Sequence, residues 1–307
     1  MLEPVMFTGG VYKHDLVIEL VDDLGGYILQ KNIAQSEVIL LLLVPSEDMK
    51  TLEALSKELR GELVRAPLAG TEVAVVTPTL AIHHLPHTAC DIAEYLRRNG
   101  AKSNMIGLSR GVGREIAQIN EYETALINEH DAAIFIFGNF ADCIRKKECL
   151  YRNINVPVVV TGGPSIPKED LPYAFEYVPS IGRIAHRFRK ATEIGTLDSI
   201  VEAIGRALDR TRADISKDPL TTSPPRVMNA VREQVPDVEY SFSPLPIALN
   251  LNGIRVKLPF EEYKEQVRAV KFDEGVTLEE IALIKPSMMK DYILVRILPA
   301  SETGFVF

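Results

Sequence analysis

The feature that most constrains the fold is a rhythm that begins at residue 71. Short apolar runs at Glu72 to Thr77, Lys102 to Leu108, Ala132 to Phe137 and Val156 to Thr161 alternate with helical stretches at about Ala89 to Arg98, Glu115 to Glu129 and Phe140 to Asn153. Near-continuous apolar runs are what parallel strands need when helices cover both faces of their sheet. The expected fold of residues 71–218 is therefore a doubly wound α/β domain with a parallel sheet, closed by the long amphipathic stretch Asp198 to Ile215.

Residues 1–70 read differently. Strand Pro4 to Thr8, helix His14 to Leu24 stopped by Gly25-Gly26, strands Tyr27 to Ile33 and Glu37 to Val44, helix Glu47 to Leu59 capped by Ser46, and strand Glu62 to Ala66 follow one another. The order β-α-β-β-α-β predicts a ferredoxin-like domain. At the other end, Pro219 to Pro225 (PLTTSPP) reads as a linker, and residues 219–307 as that linker plus a small C-terminal α+β segment. A chain of 307 residues has room for two or three such domains, each with its own core.

The formal net charge of −8 argues against nucleic acid as a partner, because neutralising phosphates needs a basic surface. The basic clusters Arg97-Arg98, Arg145-Lys146-Lys147 and Arg183 to Lys190 are mixed with apolar residues and read as solvated faces. The longest apolar run, Val38 to Val44, is too short to span a bilayer, and the start MLEPVMFTGG lacks the basic and apolar regions of a signal peptide. A cytoplasmic protein with no membrane partner is expected. Three cysteines, Cys90, Cys143 and Cys149, are too few for a disulfide framework there, so they are free thiols or metal ligands.

The densest group of ligand-type residues is His83-His84-Leu85-Pro86-His87-Thr88-Ala89-Cys90, directly after a predicted strand. Thr88 with Asp91 resembles a capping box, which would put Cys90 in a first helical turn, where free N–H groups and the helix dipole favour a thiolate. The plainer alternative is a buried helical cysteine beside a surface loop of histidines. Gly138-Asn139-Phe140-Ala141-Asp142-Cys143 repeats the arrangement, with Asn139 as the expected cap. Cys149, six residues on, would sit about 240° around that helix and is expected in the core.

Between them, Gly107-Leu108-Ser109-Arg110-Gly111-Val112-Gly113-Arg114 could approach an anion closely, although it matches neither the dinucleotide nor the P-loop pattern. The Gly162-Gly163 loop also permits close backbone approach. In a doubly wound sheet all these loops emerge at the carboxyl edge, where such folds bind ligands. That edge would gather His83, His84, His87, Cys90, Arg110, Gly111, Gly113, Arg114, Asn139 and Cys143, a set suited to an anionic iron–sulfur cluster with Cys90, Cys143 and His87 as metal ligands. Two thiolates fall short of the four that hold a simple cubane, so either histidines complete the set, or a partner chain does, or the cluster is an elaborate one needing few protein ligands. No serine nucleophile elbow, HExxH or paired CxxC is present, and no catalytic residue is assigned. His14 has no evident partner, and His130 and His186 read as surface or core residues.

At HHLPHTACDIAEYLRRNGAKSNMIGLSRGVG the sequence resembles the methanogenesis marker protein 7 family, over most of the chain. Roughly Pro78 to Pro164 also resembles methyl-coenzyme M reductase operon protein C, through Cys90, Gly111 to Gly113 and Gly138-Asn139. The resemblance implies an archaeal component of the ATP-dependent complex that reductively activates methyl-coenzyme M reductase by delivering low-potential electrons to its nickel tetrapyrrole. It further implies a complex iron–sulfur cluster of the nitrogenase-precursor type (8Fe-9S-C), with Cys90 as one ligand and Cys143 or a nearby histidine as the second. Its implied partners are operon protein C, other methanogenesis marker proteins, an ATPase component and the reductase itself. Such a chain is an electron-transfer or activation subunit more than a free-standing enzyme. The competing reading is a metal-free scaffold whose glycine loops bind an anion or nucleotide, or only hold partner chains.

Overall fold

The structure, a computed structural model, describes residues 2–78, 88–109, 117–181, 191–241, 243–272 and 275–305. It is a mixed α/β protein with one parallel and two antiparallel sheets.

The first sheet is built from β1 (Leu2–Gly10), β2 (Tyr27–Ala34), β3 (Glu37–Pro45) and β4 (Glu62–Arg65), with α1 (Asp15–Asp23) and α2 (Met49–Glu58) between them. The strands run β2-β3-β1-β4, all antiparallel, which is the split βαβ arrangement. The long apolar run in β3 is explained by burial on both faces. Val38, Leu40, Leu42 and Val44 pack with Val17 and Val21 of α1 and Leu52 of α2, while Leu41 belongs to a different core on the opposite face. The cap expected at Ser46 is not formed. A 3₁₀ turn, Ser46–Asp48, precedes α2, and Asp48 stands at the cap with no side-chain hydrogen bond.

The parallel sheet comprises β5 (Glu72–Thr77), β6 (Lys102–Gly107), β7 (Ala132–Ile136), β8 (Val158–Thr161) and β9 (Glu176–Val178), in the order β6-β5-β7-β8-β9. Its helices are α3 (Thr88–Arg98), α4 (Glu121–Ile127), α5 (Ala141–Lys146) and α6 (Ala191–Ile215). Helix α4 is shorter than expected. It starts at a capping box formed by Asn120 and Glu123, whose side chain also fixes Ser109 by accepting from its N–H at 2.6 Å. Helix α5 ends at Lys146 and continues only as a 3₁₀ turn, Lys147–Leu150.

Alternation along the strands sorts the helices onto two faces. Val73 and Val75 of β5 pack with Ala89, Ile92, Ala93 and Leu96 of α3 and with α6. Ala74 and Val76 face the other way, toward Ile127 of α4 and Ile144 of α5. The α3 residues are spaced i, i+3, i+4, i+7, the stripe a helix needs to lie on a sheet. Burying Ile92 and Leu96 alone contributes roughly 1.5–3 kcal/mol each. The helix ends at Gly100, with φ of +95°, where Ala101 N–H donates back to Leu96 O at 3.1 Å. A Cβ at Gly100 would stand 2.9 Å from the backbone nitrogen of Ala69. Gly100→Ala is therefore expected to lower stability by about 1–3 kcal/mol. An unchanged thermal midpoint would contradict this packing.

The rest of the chain forms α7 (Pro224–Gln234), β10 (Ile247–Asn250), β11 (Gly253–Val256), α8 (Phe260–Arg268), α9 (Leu278–Ile281), β12 (Ala282–Pro286), β13 (Ile293–Ile297) and α10 (Ala300–Thr303). The strands run β10-β11-β13-β12, all antiparallel. Val227 and Val231 of α7, Ile247 and Ile254 share one core with Leu29 and Leu41 of the first sheet. The Pro219–Pro225 stretch, expected as a linker, lies against the chain end. Thr221 is buried, its N–H donates to Leu298 O at 2.9 Å, and Leu220 bridges to Pro299.

Candidate metal centre

Topology decides which loops can meet. From β5 the chain passes through α3 to β6 on one side, then through α4 to β7 on the other side of β5. The strand order is that of a flavodoxin-like sheet, and its switch point falls between the carboxyl ends of β5 and β7. The helices that start beyond those two ends are α3 and α5, and each carries a cysteine at its third residue: Cys90 in Thr88-Ala89-Cys90, Cys143 in Ala141-Asp142-Cys143. Cys90 is half-buried, just off the stripe that packs on the sheet, and Cys143 is exposed.

The details differ from expectation in three places. Thr88 is the first helical residue of α3 and not its cap. Asn139 does not cap α5; Phe140 holds that position without a side-chain bond, and Asp142 pairs instead with Arg145 at 3.0 Å. Cys149 is exposed, not core. The angle expected from a continuous α-helix fails because the helix breaks at Lys146, and the buried positions go to Ile144, Leu150 and Tyr151.

The glycines after β8 have a local explanation. A Cβ on Gly162 would stand 2.6 Å from Ile144 Cδ1, and one on Gly163 would collide with Asn139 Oδ1. Gly163 N–H donates to Gly138 O at 3.1 Å. The close approach these glycines allow is thus between the loops after β7 and β8, and it fixes the base of the Cys143 helix. At the switch point itself, the hydroxyl of Thr77, last residue of β5, is buried and has no hydrogen-bond partner among the described residues. Such an orphan costs about 1–3 kcal/mol unless something supplies its partner.

His83, His84, His87, Arg110, Gly111, Gly113, Arg114 and His186 lie outside the described residues. Among the described residues no group of three His, Cys, Asp or Glu side chains could hold a metal ion. The described part of the edge offers two soft donors, Cys90 and Cys143.

The most heavily charged interior lies at the opposite, amino edge, where the C-terminal sheet docks. Arg255 of β11 is almost fully buried. Its Nε donates to Glu72 Oε2 at 2.8 Å and its Nη1 to Glu129 Oε2 at 2.6 Å. Asn250 donates to the same Glu72 oxygen at 2.9 Å, and Met288 N–H to Glu129 Oε1 at 2.8 Å. Burial pushes the Glu72 carboxyl up, but the Arg255 guanidinium and these hydrogen bonds hold it below its ordinary value. His130 is buried here, not on the surface, with Nδ1 3.0 Å from Leu126 O. Asn104 Nδ2 donates to its Nε2 at 2.9 Å, and burial lowers its pKa. His14, too, has a partner: Nδ1 lies 2.6 Å from Val11 O, while Nε2 stands 3.2 Å from the Asp15 carboxylate without a hydrogen bond among the described residues. The signal in the sequence for the buried cluster was Glu129-His130-Asp131 immediately ahead of a fully apolar strand.

Asp131 has the opposite sign from Glu72. Burial pushes its pKa up from 3.8 to about 6, although backbone N–H groups of Glu72 and Leu251 donate to it at 2.8 and 2.9 Å. Its contribution to stability is fully present below the unfolded value and is lost as pH rises through about 6, at up to about 1.4 kcal/mol per unit. That of Glu72 is present above its unfolded value and lost as pH falls through its depressed one. A carbon-13 carboxyl titration should place Asp131 near 6; a midpoint at its ordinary value would contradict its burial.

A flavodoxin-order sheet with two thiols flanking its switch point, joined through a buried ionic cluster to a C-terminal sheet, defines the class: a multi-sheet α/β protein with its candidate site at the carboxyl edge. The chain belongs to the methyl-coenzyme M reductase operon protein C family, which it matches over residues 2–270. The match reaches well beyond the central Pro78 to Pro164 portion, and the family's name ties the chain to the operon of that reductase. It is also 47% identical over 305 residues to the uncharacterized protein MJ0094 of Methanocaldococcus jannaschii, covering 99% of this chain and 96% of that one. Solved structures match only loosely. The NanR protein of Vibrio vulnificus, complexed with ManNAc-6P, is 12% identical over 55% of this chain and 61% of its own, with a TM-score of 0.25. The hypothetical protein MJ1247 of Methanococcus jannaschii is 15% identical over 54% and 80%, with a TM-score of 0.23. Likenesses this weak carry no argument. Among the described residues, no helix is long and apolar enough to cross a membrane.

Proposed function

We propose that this chain is an iron–sulfur component of the ATP-dependent assembly that reductively activates methyl-coenzyme M reductase. The observation that supports the reading best is the pairing of Cys90 and Cys143 on the helices that flank the switch point, in a chain tied to the reductase's operon. When bound, a cluster of the nitrogenase-precursor type would supply low-potential electron transfer toward the nickel tetrapyrrole. This chain's own part is to present two cysteine sulfurs from helix starts, and to leave one of them, Cys143, exposed where another chain can reach. Phe140, 78% exposed beside it, gives that approach an apolar contact.

The partners in this reading are a second operon protein C relative, other methanogenesis marker proteins, an ATPase component and the reductase. The division into units near residues 70 and 218 is part of the same proposal. The test is native mass measurement on anaerobically purified protein, alone and co-purified. The reading expects iron and sulfide in a hetero-oligomer. A cluster-replete monomer would contradict the shared site, and an iron-free assembly would leave the metal-free scaffold in its place.

A further inference from the structure

A groove of about 530 Å³ runs between the first sheet and the C-terminal end of α3, away from the cysteine edge. Its floor is apolar, with Ile39 and Leu41 of β3 and Leu245 just ahead of β10. Its wall is cationic. Arg97 and Arg98 stand exposed at the rim, both paired with Glu94 at 3.2 Å. Lys102, the first residue of β6, differs from them. It is half-buried, and no described residue gives its ammonium a hydrogen bond or an ion pair. Glu72 acts on it only through space, and burial holds its pKa below the usual lysine range.

Lys102 also lines a narrow second cavity of about 20 Å³, so it stands where the groove pinches toward the interior. A half-buried ammonium with no partner among the described residues is not what stability selects, because a neutral side chain of similar length would bury the same stem with no charge to desolvate.

We propose that this groove binds a medium-chain carboxylate, with its chain on Ile39, Leu41 and Leu245 and its head group on Lys102. The volume lies within the range of about 300–1,000 Å³ typical of small-molecule pockets. The head group follows from the donors. Arg97 and Arg98 each make one contact to Glu94 from exposed, solvated positions, so the cation set into the groove among the described residues is the point charge of Lys102, which suits a monoanion better than a phosphate. The inference is independent of the cysteines.

Calorimetric titration of the full chain with decanoate, and with decylamine as the matched cation, tests it. Decanoate should bind saturably and decylamine should not. Lys102→Met should weaken decanoate by about tenfold or more while raising the thermal midpoint of the ligand-free protein. Lys102→Gln should weaken it similarly, so a folding defect in one variant does not decide the matter. The proposal is overturned if decanoate fails to saturate, if both amphiphiles bind alike, or if both Lys102 variants keep full affinity. It is also overturned if the protein dimerises with concentration and Lys102→Met abolishes the dimer, since the groove then holds a second copy.

Discussion

Replacing Arg255 with methionine should cost about 3–5 kcal/mol, because it leaves the Glu72 and Glu129 carboxylates buried without the one cation that donates to both. The guanidinium answers four acceptors at once, donating to both carboxylates, to Ser287 Oγ and to the backbone carbonyl of Glu129. Glu72 opens β5, Glu129 stands just before β7, and Arg255 comes from the C-terminal sheet, so the loss should loosen the docking of that sheet and not only one strand. Adding Glu72→Gln to Arg255→Met should recover part of the loss, since one uncompensated charge disappears. The deficit should also shrink as pH falls and the stranded Glu72 carboxylate takes up a proton. Urea denaturation at neutral pH measures all of this. A loss below about 1 kcal/mol would mean that water reaches the cluster and that the pair behaves as a surface one.

The sequence marks one side of this cluster, Glu129-His130-Asp131 ahead of an apolar strand, but not the partners that complete it. Arg255 sits in Gly-Ile-Arg-Val, where alternation predicts that a charged side chain points outward, and its partner Glu72 is 183 positions away. The parallel sheet was legible because strands covered on both faces cannot hide their continuous apolar character, and the carboxyl-edge gathering of Cys90 and Cys143 follows from that parallelism. Finer placement failed wherever it relied on a helix being uninterrupted. Cys149 was assigned by α-helical angle, but the helix gives way to a 3₁₀ turn before reaching it. Asn139 has the right chemistry for a cap, yet its side chain is taken up by packing against Gly163. The short β9 pairs only three residues with β8, too few for any periodicity to register. Lys102 looks like an ordinary strand-end lysine until the groove against the first sheet is seen.

The second large effect is expected at the cysteines. Cys90→Ala removes a small, half-buried side chain at the edge of the α3 stripe, so the fold should survive with a loss of about 1 kcal/mol or less. Cys143→Ala, at an exposed position, should cost still less. Neither should alter the secondary structure. If the two thiols hold a cluster, however, both changes should strip it, because a partner's ligands cannot replace donors supplied from helix starts on two sides of the switch point. Activation of the reductase should fall with it. Cys149→Ala is the matched control: an exposed cysteine near Cys143 in sequence, on the 3₁₀ turn away from the carboxyl edge.

The most direct measurement is therefore iron and sulfide content, with visible absorbance, of the anaerobically co-purified assembly carrying each of these three changes. The account predicts that Cys90→Ala and Cys143→Ala lose most of their iron and their absorbance while Cys149→Ala keeps both. Full iron in the Cys90→Ala and Cys143→Ala proteins, or loss confined to Cys149→Ala, would contradict it.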